Sequence, residues 1–496
     1  MSAAGISGGC VYLRAVRREF LLNIGFLLGI NLLVKPFYLF GIERTVQDVV
    51  GAETYGIYFS LLSLTYMLQA LSDLGIQNFN NRNIARHRQL LDKYLPHILG
   101  LKLLLSGVFL VLLFSAAYYL GYRSALEWKL LALLGFNQVL ISLVFYLRTN
   151  IAALGFYRTD SWLSALDKLL LVLIGSVLLF LEPWRSAFRI EWFVYAQTAA
   201  LATTALVAAA LNARRVERLR LRFRGPVLLL MLKKSLPFAL VLLLMSIYTR
   251  VDAIMLRALA PGAEAEVGIY GAAYRLLDAG NMVGFLFAGL LLPMFARMLK
   301  TDTDVQPLVR LSASLIWVLS LTAAVLLTVF REPVMQLLYR EATPYWGAVL
   351  GTLIWTFPAV CGTYVYGTLL TANGRLRPMN YLFGISILVN VLLNALLIPR
   401  YQSVGAALAT DLTQWGVLIG QMWLATRLIG VRVAGTWVLR LVGFLALTWG
   451  STFGLATLAW PWIMAFLLSG LIAVAWAGAL RLVAWTSIGE LVSRDG

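Results

Sequence analysis

Runs of about twenty apolar residues recur along this chain from Phe20 almost to its C-terminus, and nothing else in the sequence limits the fold so tightly. About twenty residues at 1.5 Å rise per residue cross the roughly 30 Å hydrocarbon layer of a bilayer as helix. The 496 residues are 60% hydrophobic and 13% charged, with a mean hydropathy of +0.81. A soluble protein would be nearer 45–50% apolar and about 25% charged. These figures predict an all-α polytopic membrane protein.

Turn and charge breaks divide the apolar windows into about 14 transmembrane helices. The expected spans are 20–42, 54–76, 95–120, 128–149, 159–181, 191–212, 233–257, 267–293, 308–330, 346–371, 379–398, 404–425, 437–457 and 462–482. Lys and Arg decide the orientation. With the N-terminus inside, 27 of the 41 fall in cytoplasmic segments, nine in outer segments and five within spans. A bias of this kind predicts cytoplasmic N- and C-termini and an even number of spans. It also accounts for most of the net charge of +18, so no nucleic-acid partner is invoked. The basic strip from Arg214 to Arg224 reads either as a cytoplasmic retention signal or as a surface for anionic headgroups.

Other classes of feature are absent from the sequence. Cys10 and Cys361 are too few for a disulfide framework. Met1–Cys10 lacks the apolar run of a cleaved signal peptide, and Gly8-Gly9-Cys10 lacks that of a lipoprotein signal. No cofactor or metal site is expected. Asp302-Thr303-Asp304 matches a nucleotide-sugar pattern but reads as helix capping, and Asn78–Asn83 reads as cap and turn chemistry. His87 and His97 flank a cytoplasmic loop.

An internal repeat organises the chain. Gly56-Ile57-Tyr58 recurs as Gly268-Ile269-Tyr270, Ala85-Arg86 as Ala296-Arg297, and Ala153-Leu154-Gly155 with Arg158 as Ala372-Asn373-Gly374 with Arg377. The offsets of 212, 211 and 219 residues are nearly constant. They predict two pseudo-symmetric six-helix lobes in one orientation, followed by two C-terminal helices. The expected organisation is a cytoplasmic segment 1–19, an N-lobe 20–212, a basic loop 213–232, a C-lobe 233–425, helices 13 and 14 over 437–482, and a cytoplasmic tail 483–496. Parallel repeats place a binding site between halves near mid-membrane.

Charges within the spans are the candidate functional groups. Lys35 stands in the first span, where a lysine costs about 2.5–3.5 kcal/mol at the helix centre unless it faces water or a partner. Pro36 frees a backbone carbonyl and predicts a kink with a gating role. Counted from span ends, Lys35, Arg250 and Arg275 lie about 10–12 Å below the outer boundary. Asp252, Asp278 and Asp411 share that tier. Lys102, Asp167 and Lys168 form a deeper one. One reading is a vestibule whose cations hold a phosphate or diphosphate, with Arg bidentate and Lys a mobile point charge. The other is that the charges pair internally: Arg275 and Asp278 are three apart on one face, whereas Arg250 and Asp252 are two apart and diverge. Asp252 and Asp411 are candidates for proton coupling or for counter-ions, as are Asp278 and Asp167 for the latter.

Several blocks resemble bacterial oligosaccharide flippases, the polysaccharide transporter branch of the multidrug/oligosaccharidyl-lipid/polysaccharide exporter superfamily. They are Lys35-Pro36-Phe37 through Gly41-Ile42-Glu43-Arg44-Thr45, Asp73-Leu74-Gly75-Ile76 with Phe79–Ala85, and Asp252–Leu256 leading into Val267–Tyr270. Leu370–Arg375, Asn390 with Asn394, Ile398–Tyr401 and Gly405-Ala406-Ala407 complete the set. The resemblance implies two lobes around a cavity that opens alternately to each side, with helices 13 and 14 outside. It implies as cargo a polyprenyl-diphosphate-linked oligosaccharide, moved between leaflets of the cytoplasmic (inner) membrane for surface polysaccharide biosynthesis. It also implies cavity cations that hold the diphosphate, which fits Lys35, Arg250 and Arg275. Membrane lipids, glycosyltransferases and a polymerase of the same pathway are the expected partners, and the chain is expected to be a monomer. A cation-drug exporter would want a carboxylate in span 1, where this chain has none between Phe20 and Gly41. A lipid II flippase is a further alternative, although its arginine pattern in span 1 is absent. A membrane-embedded polymerase or ligase would want a large outer loop, and all those expected are short; an enzyme is not expected. Glycines in spans 1 and 8 (Gly25, Gly29; Gly280, Gly284, Gly289) suggest a lateral gap for the lipid tail.

Overall fold

The computed structural model describes residues 34–74, 76, 91–214, 225–458 and 460–483, with residue 29. Among these, all regular secondary structure is helical, and eleven helices are long and apolar enough to cross a membrane. The chain is a multi-pass helical membrane protein. The helices are α1 (Arg44–Leu68), α2 (Leu91–Tyr119), α3 (Ala125–Ala153), α4 (Tyr157–Phe180), α5 (Ile190–Ala213), α6 (Gly225–Leu259) and α7 (Ala263–Lys300). They continue as α8 (Gln306–Val329), α9 (Arg331–Leu338), α10 (Pro344–Leu353), α11 (Thr356–Ala372), α12 (Leu376–Ile429), α13 (Gly435–Ala456) and α14 (Trp462–Ala479). The eleven are compatible with about fourteen spans. At about 81 Å, the 54-residue α12 is more than two bilayer cores long. It breaks at Gln402 (φ 52°, ψ −127°), so it holds two spans. The 25-residue α1 is not among the eleven, and the first span is described only near its end.

That first span runs farther than its apolar residues suggest. Residues 34–37 are helical beyond Pro36, Tyr38–Glu43 form a π-helical turn, and α1 follows without a gap. A π turn within an α-helix is one of the few routine ways to bend it. The helix breaks only at Gly51, whose φ of 79° and ψ of 164° suit a residue without Cβ. The expected loop around Glu43 and Arg44 is therefore helical. Lys35 lies sixteen residues before Gly51, or about 24 Å of helix from that break. The carbonyl of Leu32 lies outside the described residues.

Local signals explain other boundaries. Ser124 and Glu127 form a reciprocal capping box at the start of α3, with Ser124 N donating to Glu127 Oε2 at 2.8 Å and Glu127 N to Ser124 Oγ at 3.2 Å. The repeated Ala-x-Gly motifs close α3 and α11 in the same way. Gly155 and Gly374 have φ of 92° and 75°, and the next residues, Phe156 and Arg375, take φ/ψ of −88°/60° and −86°/72°. Residues more than 200 apart thus repeat one turn geometry. The Ala85-Arg86 member of the repeat lies outside the described residues.

The chain divides into two compact units: residues 1–50 with 64–243, and 51–63 with 244–496. In the first, α3 packs on α4 and α5, and α2 packs on α3. Its core includes Ile98, Leu101, Tyr146, Leu147 and Leu163. In the second, α11 packs on α7, α8 and α12, while α13 and α14 pack on each other and on α8. Trp437 stacks on Trp317 at 5.3 Å and donates its indole N–H to Ser314 Oγ at 2.8 Å, pinning α13. The glycines of the two Gly-Ile-Tyr motifs meet inside this unit. A Cβ on Gly56 would overlap the carbonyl of Glu264, and one on Gly268 would overlap the carbonyl of Ala52. Only bare backbone lets α1 and α7 cross this closely, the device that joins helices in lipid.

Candidate functional site

In the first unit Lys35 is half-buried and lies within electrostatic range of Lys168, Asp167 and Arg148. Two of these three cations have a carboxylate of their own. Lys168 Nζ is 3.5 Å from Asp167 Oδ2, and Arg148 Nε donates to Asp160 Oδ1 at 2.9 Å. Lys168 also stands 4.6 Å from the centroid of the Tyr38 ring and within range of Glu43. Among the described residues, no carboxylate lies within 4 Å of Lys35. α4 supplies Asp167 and Lys168, α3 supplies Arg148, and the π turn that follows Pro36 supplies Tyr38.

Lys102 has a different setting. It is buried, paired with Asp73, and donates to Ser142 Oγ at 2.8 Å and to the Ser142 carbonyl at 3.2 Å. Its three donors are thereby used within the protein.

The other candidates belong to the second unit. Arg250, on α6, pairs with Asp278 on α7 at 3.7 Å and lies 4.9 Å from the Tyr274 ring. Arg275 is buried against the rings of Tyr55, at 4.9 Å, and Tyr339, at 5.8 Å, and donates to the Tyr339 hydroxyl. Asp252 diverges from Arg250, as their two-residue spacing requires. It is 1% exposed and accepts hydrogen bonds from Asn390 Nδ2 at 3.0 Å, Asn394 Nδ2 at 2.6 Å and Thr410 Oγ1 at 2.7 Å. Tyr270 OH lies 2.9 Å from Thr410 Oγ1 and extends this network. Asp411 is half-buried and accepts from Thr356 Oγ1 at 3.4 Å.

With the geometry of both units established, the relatives of the chain become informative. The sequence model of the polysaccharide biosynthesis protein family matches residues 20–299, more than half of the chain. The chain belongs to the polysaccharide biosynthesis protein family. No curated protein sequence matches it. Among solved structures, it is similar to one described as lipid II flippase MurJ in an inward closed conformation, with a TM-score of 0.71 and 12% identity over 92% of this chain and 97% of that one. It is also similar to an inward-facing multidrug resistance MATE family transporter, with a TM-score of 0.59 and 14% identity over 82% and 95% of the two chains. A superfamily transporter from Pyrococcus furiosus, described as having a binding pocket of reversed polarity, gives 0.59 and 13% over 83% and 96%. This member of the polysaccharide biosynthesis family therefore has the fold of the MOP-superfamily transporters and flippases.

The structure brings Lys35 and Lys168 together, although sequence depth had separated them into two tiers. It also gives contacts to residues that the sequence did not single out as site candidates. Arg148, near the inner end of the expected span 128–149, lies on α3. Asn390 and Asn394, four apart in an apolar stretch, share a helix face, and that spacing was the available signal for their convergence on Asp252. Gly280 and Gly284 receive the rings of Phe357 and Tyr364 from α11, so close packing explains those two, whereas a Cβ on Gly29 or Gly289 would meet nothing within 4 Å. Asp302-Thr303-Asp304 does turn chemistry: Asp302 has φ of 52°, and Asp304 Oδ1 accepts from Gln306 N at 2.9 Å as α8 begins. Gly25, His87, Asn78–Asn83 and the strip Arg215–Arg224 lie outside the described residues.

Proposed function

We propose that the chain is a flippase that moves a polyprenyl-diphosphate-linked oligosaccharide from the inner to the outer leaflet of the cytoplasmic membrane, by alternating access of lobes 20–212 and 233–425, for surface polysaccharide biosynthesis. The observation that carries this reading is Lys35. It is a half-buried cation inside the membrane span with no carboxylate in contact among the described residues, in a member of the polysaccharide biosynthesis family with a transporter fold. A cation at this depth without an ion pair is costly unless water or an anion reaches it. A diphosphate supplies that anion, and Lys168 and Arg148 add positive potential beside it. Arg250 and Arg275 are the corresponding candidates in the second unit, where aromatic rings and Asp278 hold them in place. Lys102, committed to Asp73 and Ser142, is assigned a structural role.

Asp252 supports an energy-coupling role. A fully buried carboxylate among neutral donors needs a proton or a bound cation to offset its charge. Within the described residues no basic group lies within 4 Å of it. Asp411 is the second candidate.

The test is delivery of fluorescent lipid-linked oligosaccharide across reconstituted vesicles. Lys35→Ala is expected to slow delivery about tenfold or more, the worth of one charge-assisted hydrogen bond, and Lys35→Arg to restore most of it. Normal delivery by Lys35→Ala would remove the cationic site. Lipid II as the sole accepted cargo would instead favour the other reading in this superfamily.

A further inference from the structure

A cavity of about 730 Å³ opens in the second unit where the start of α8, the 430–434 loop, the start of α13 and the end of α14 converge. None of Arg250, Asp252, Arg275, Asp278 and Asp411 lines it. Its rim carries three exposed arginines, Arg310, Arg432 and Arg481, from three different elements, and its wall includes Leu311, Trp437 and Leu482. Trp437 and Leu482 are buried, so the floor is apolar while the rim is cationic. The one acid of the lining, Asp304, already accepts the Gln306 N–H. The rim is also built rigidly. Gln306 Nε2 donates to the Arg432 carbonyl at 2.8 Å and Gln306 Oε1 accepts Arg432 N at 2.7 Å, clasping the loop to the start of α8.

A second, independent observation concerns the backbone of Arg481. α14 ends in paired closing bonds, Leu482 N to Ala477 O and Arg481 N to Gly478 O, each 3.0 Å. This closure places Arg481 at φ 51°, in the left-handed region. Glycine is the usual residue there, and α12 does end on a glycine, Gly430, at φ 84°. An arginine held in strained backbone at the rim of a cavity points to a ligand for its side chain.

We infer that this cavity binds an anionic phospholipid, its phosphate on Arg310, Arg432 and Arg481 and the start of an acyl chain on the apolar floor. All four elements reach the cavity at one membrane-boundary end, and the Lys and Arg bias makes that end cytoplasmic, the leaflet rich in anionic headgroups. Free phosphate would use the rim and leave the floor empty, so the lipid is the occupant the chemistry favours. The site holds α13 and α14 against α8 and is independent of the cargo.

The test uses full-length protein purified in mild detergent, with retained lipid measured by native mass spectrometry after exchange into mixed phosphatidylglycerol and phosphatidylethanolamine. Wild type is expected to retain phosphatidylglycerol in preference, with about fivefold loss for each arginine changed to Gln. The triple Lys variant, which keeps the charge, should retain most of it. Arg481→Gly should raise the melting temperature by relieving the backbone while lowering retention; because it folds at least as well, loss cannot be assigned to misfolding. Equal retention of both lipids, unchanged retention in the triple Gln variant, or displacement of the lipid by millimolar inorganic phosphate would each overturn the assignment.

Discussion

At the scale of single residues, burial and partners sort the intramembrane charges into different tasks. Lys102 is closed off by Asp73 and Ser142, so removing its charge takes this buried ion pair away from Asp73. Lys102→Met is expected to destabilise the protein by about 3–5 kcal/mol, the usual result of breaking one side of a buried pair, whereas Lys102→Met with Asp73→Leu should recover much of the loss. A melt in detergent distinguishes the two. Asp252 behaves differently because its partners are neutral. Asp252→Asn keeps a polar group facing Asn390, Asn394 and Thr410 and is expected to fold normally yet lose its response to an imposed ion gradient. Asp252→Leu strands one N–H each of Asn390 and Asn394 at about 1–3 kcal/mol each, while Thr410 keeps the Ala406 carbonyl as acceptor, and should melt earlier. Lys35 was legible from the sequence because a charge in an apolar run stands out. Its neighbours were not, since Arg148 and Lys168 come from helices more than a hundred residues away and no local spacing relates them to it.

At the scale of elements, glycine placement decides how the helices begin, end and cross. A Cβ at Gly56 overlaps backbone, which cannot rotate away as a side chain would. Gly56→Ala and Gly268→Ala should therefore sharply reduce the yield of folded protein in fluorescence-detected size-exclusion chromatography. Gly107→Ala and Gly443→Ala, where an added Cβ meets nothing within 4 Å, should be neutral or slightly stabilising. The all-helical, multi-pass class was readable because apolar runs of bilayer length leave few alternatives. The end of the first span was not. Glu43 and Arg44 read as a loop, yet helix continues through them to Gly51, because Glu43 is buried within range of Lys168 instead of turning out to water. The hinge-like residue was the glycine, not the charged pair.

At the scale of the whole molecule, the repeat offset near 212 residues and the shared turn at Gly155 and Gly374 make one half a guide to the other. The Lys and Arg bias makes an orientation prediction. A reporter that is active only outside the cytoplasm should work when fused in the loop after α9, near Arg340, and fail when fused between α7 and α8, near Thr303. The same vesicles test coupling: collapsing a proton gradient without slowing delivery would exclude proton transport through Asp252 or Asp411. The shared turn at Gly155 and Gly374 was open to sequence reasoning because the two Ala-x-Gly motifs match. Sites made by convergence, such as the Asp252 network, depend on which helix faces meet, and periodicity does not specify that.

The crossing of Gly56 and Gly268 also has a genetic consequence. Most packing defects can be relieved by a neighbour that shrinks, but here each neighbour is already backbone. A selection for suppressors of Gly56→Ala should return no change at Glu264 or Gly268, and instead substitutions elsewhere along α1 or α7 that let the two helices lean apart. The repeated motif therefore ties the fate of its two copies together, since neither can acquire a side chain while the carbonyl that faces it, of Glu264 or of Ala52, remains where it is.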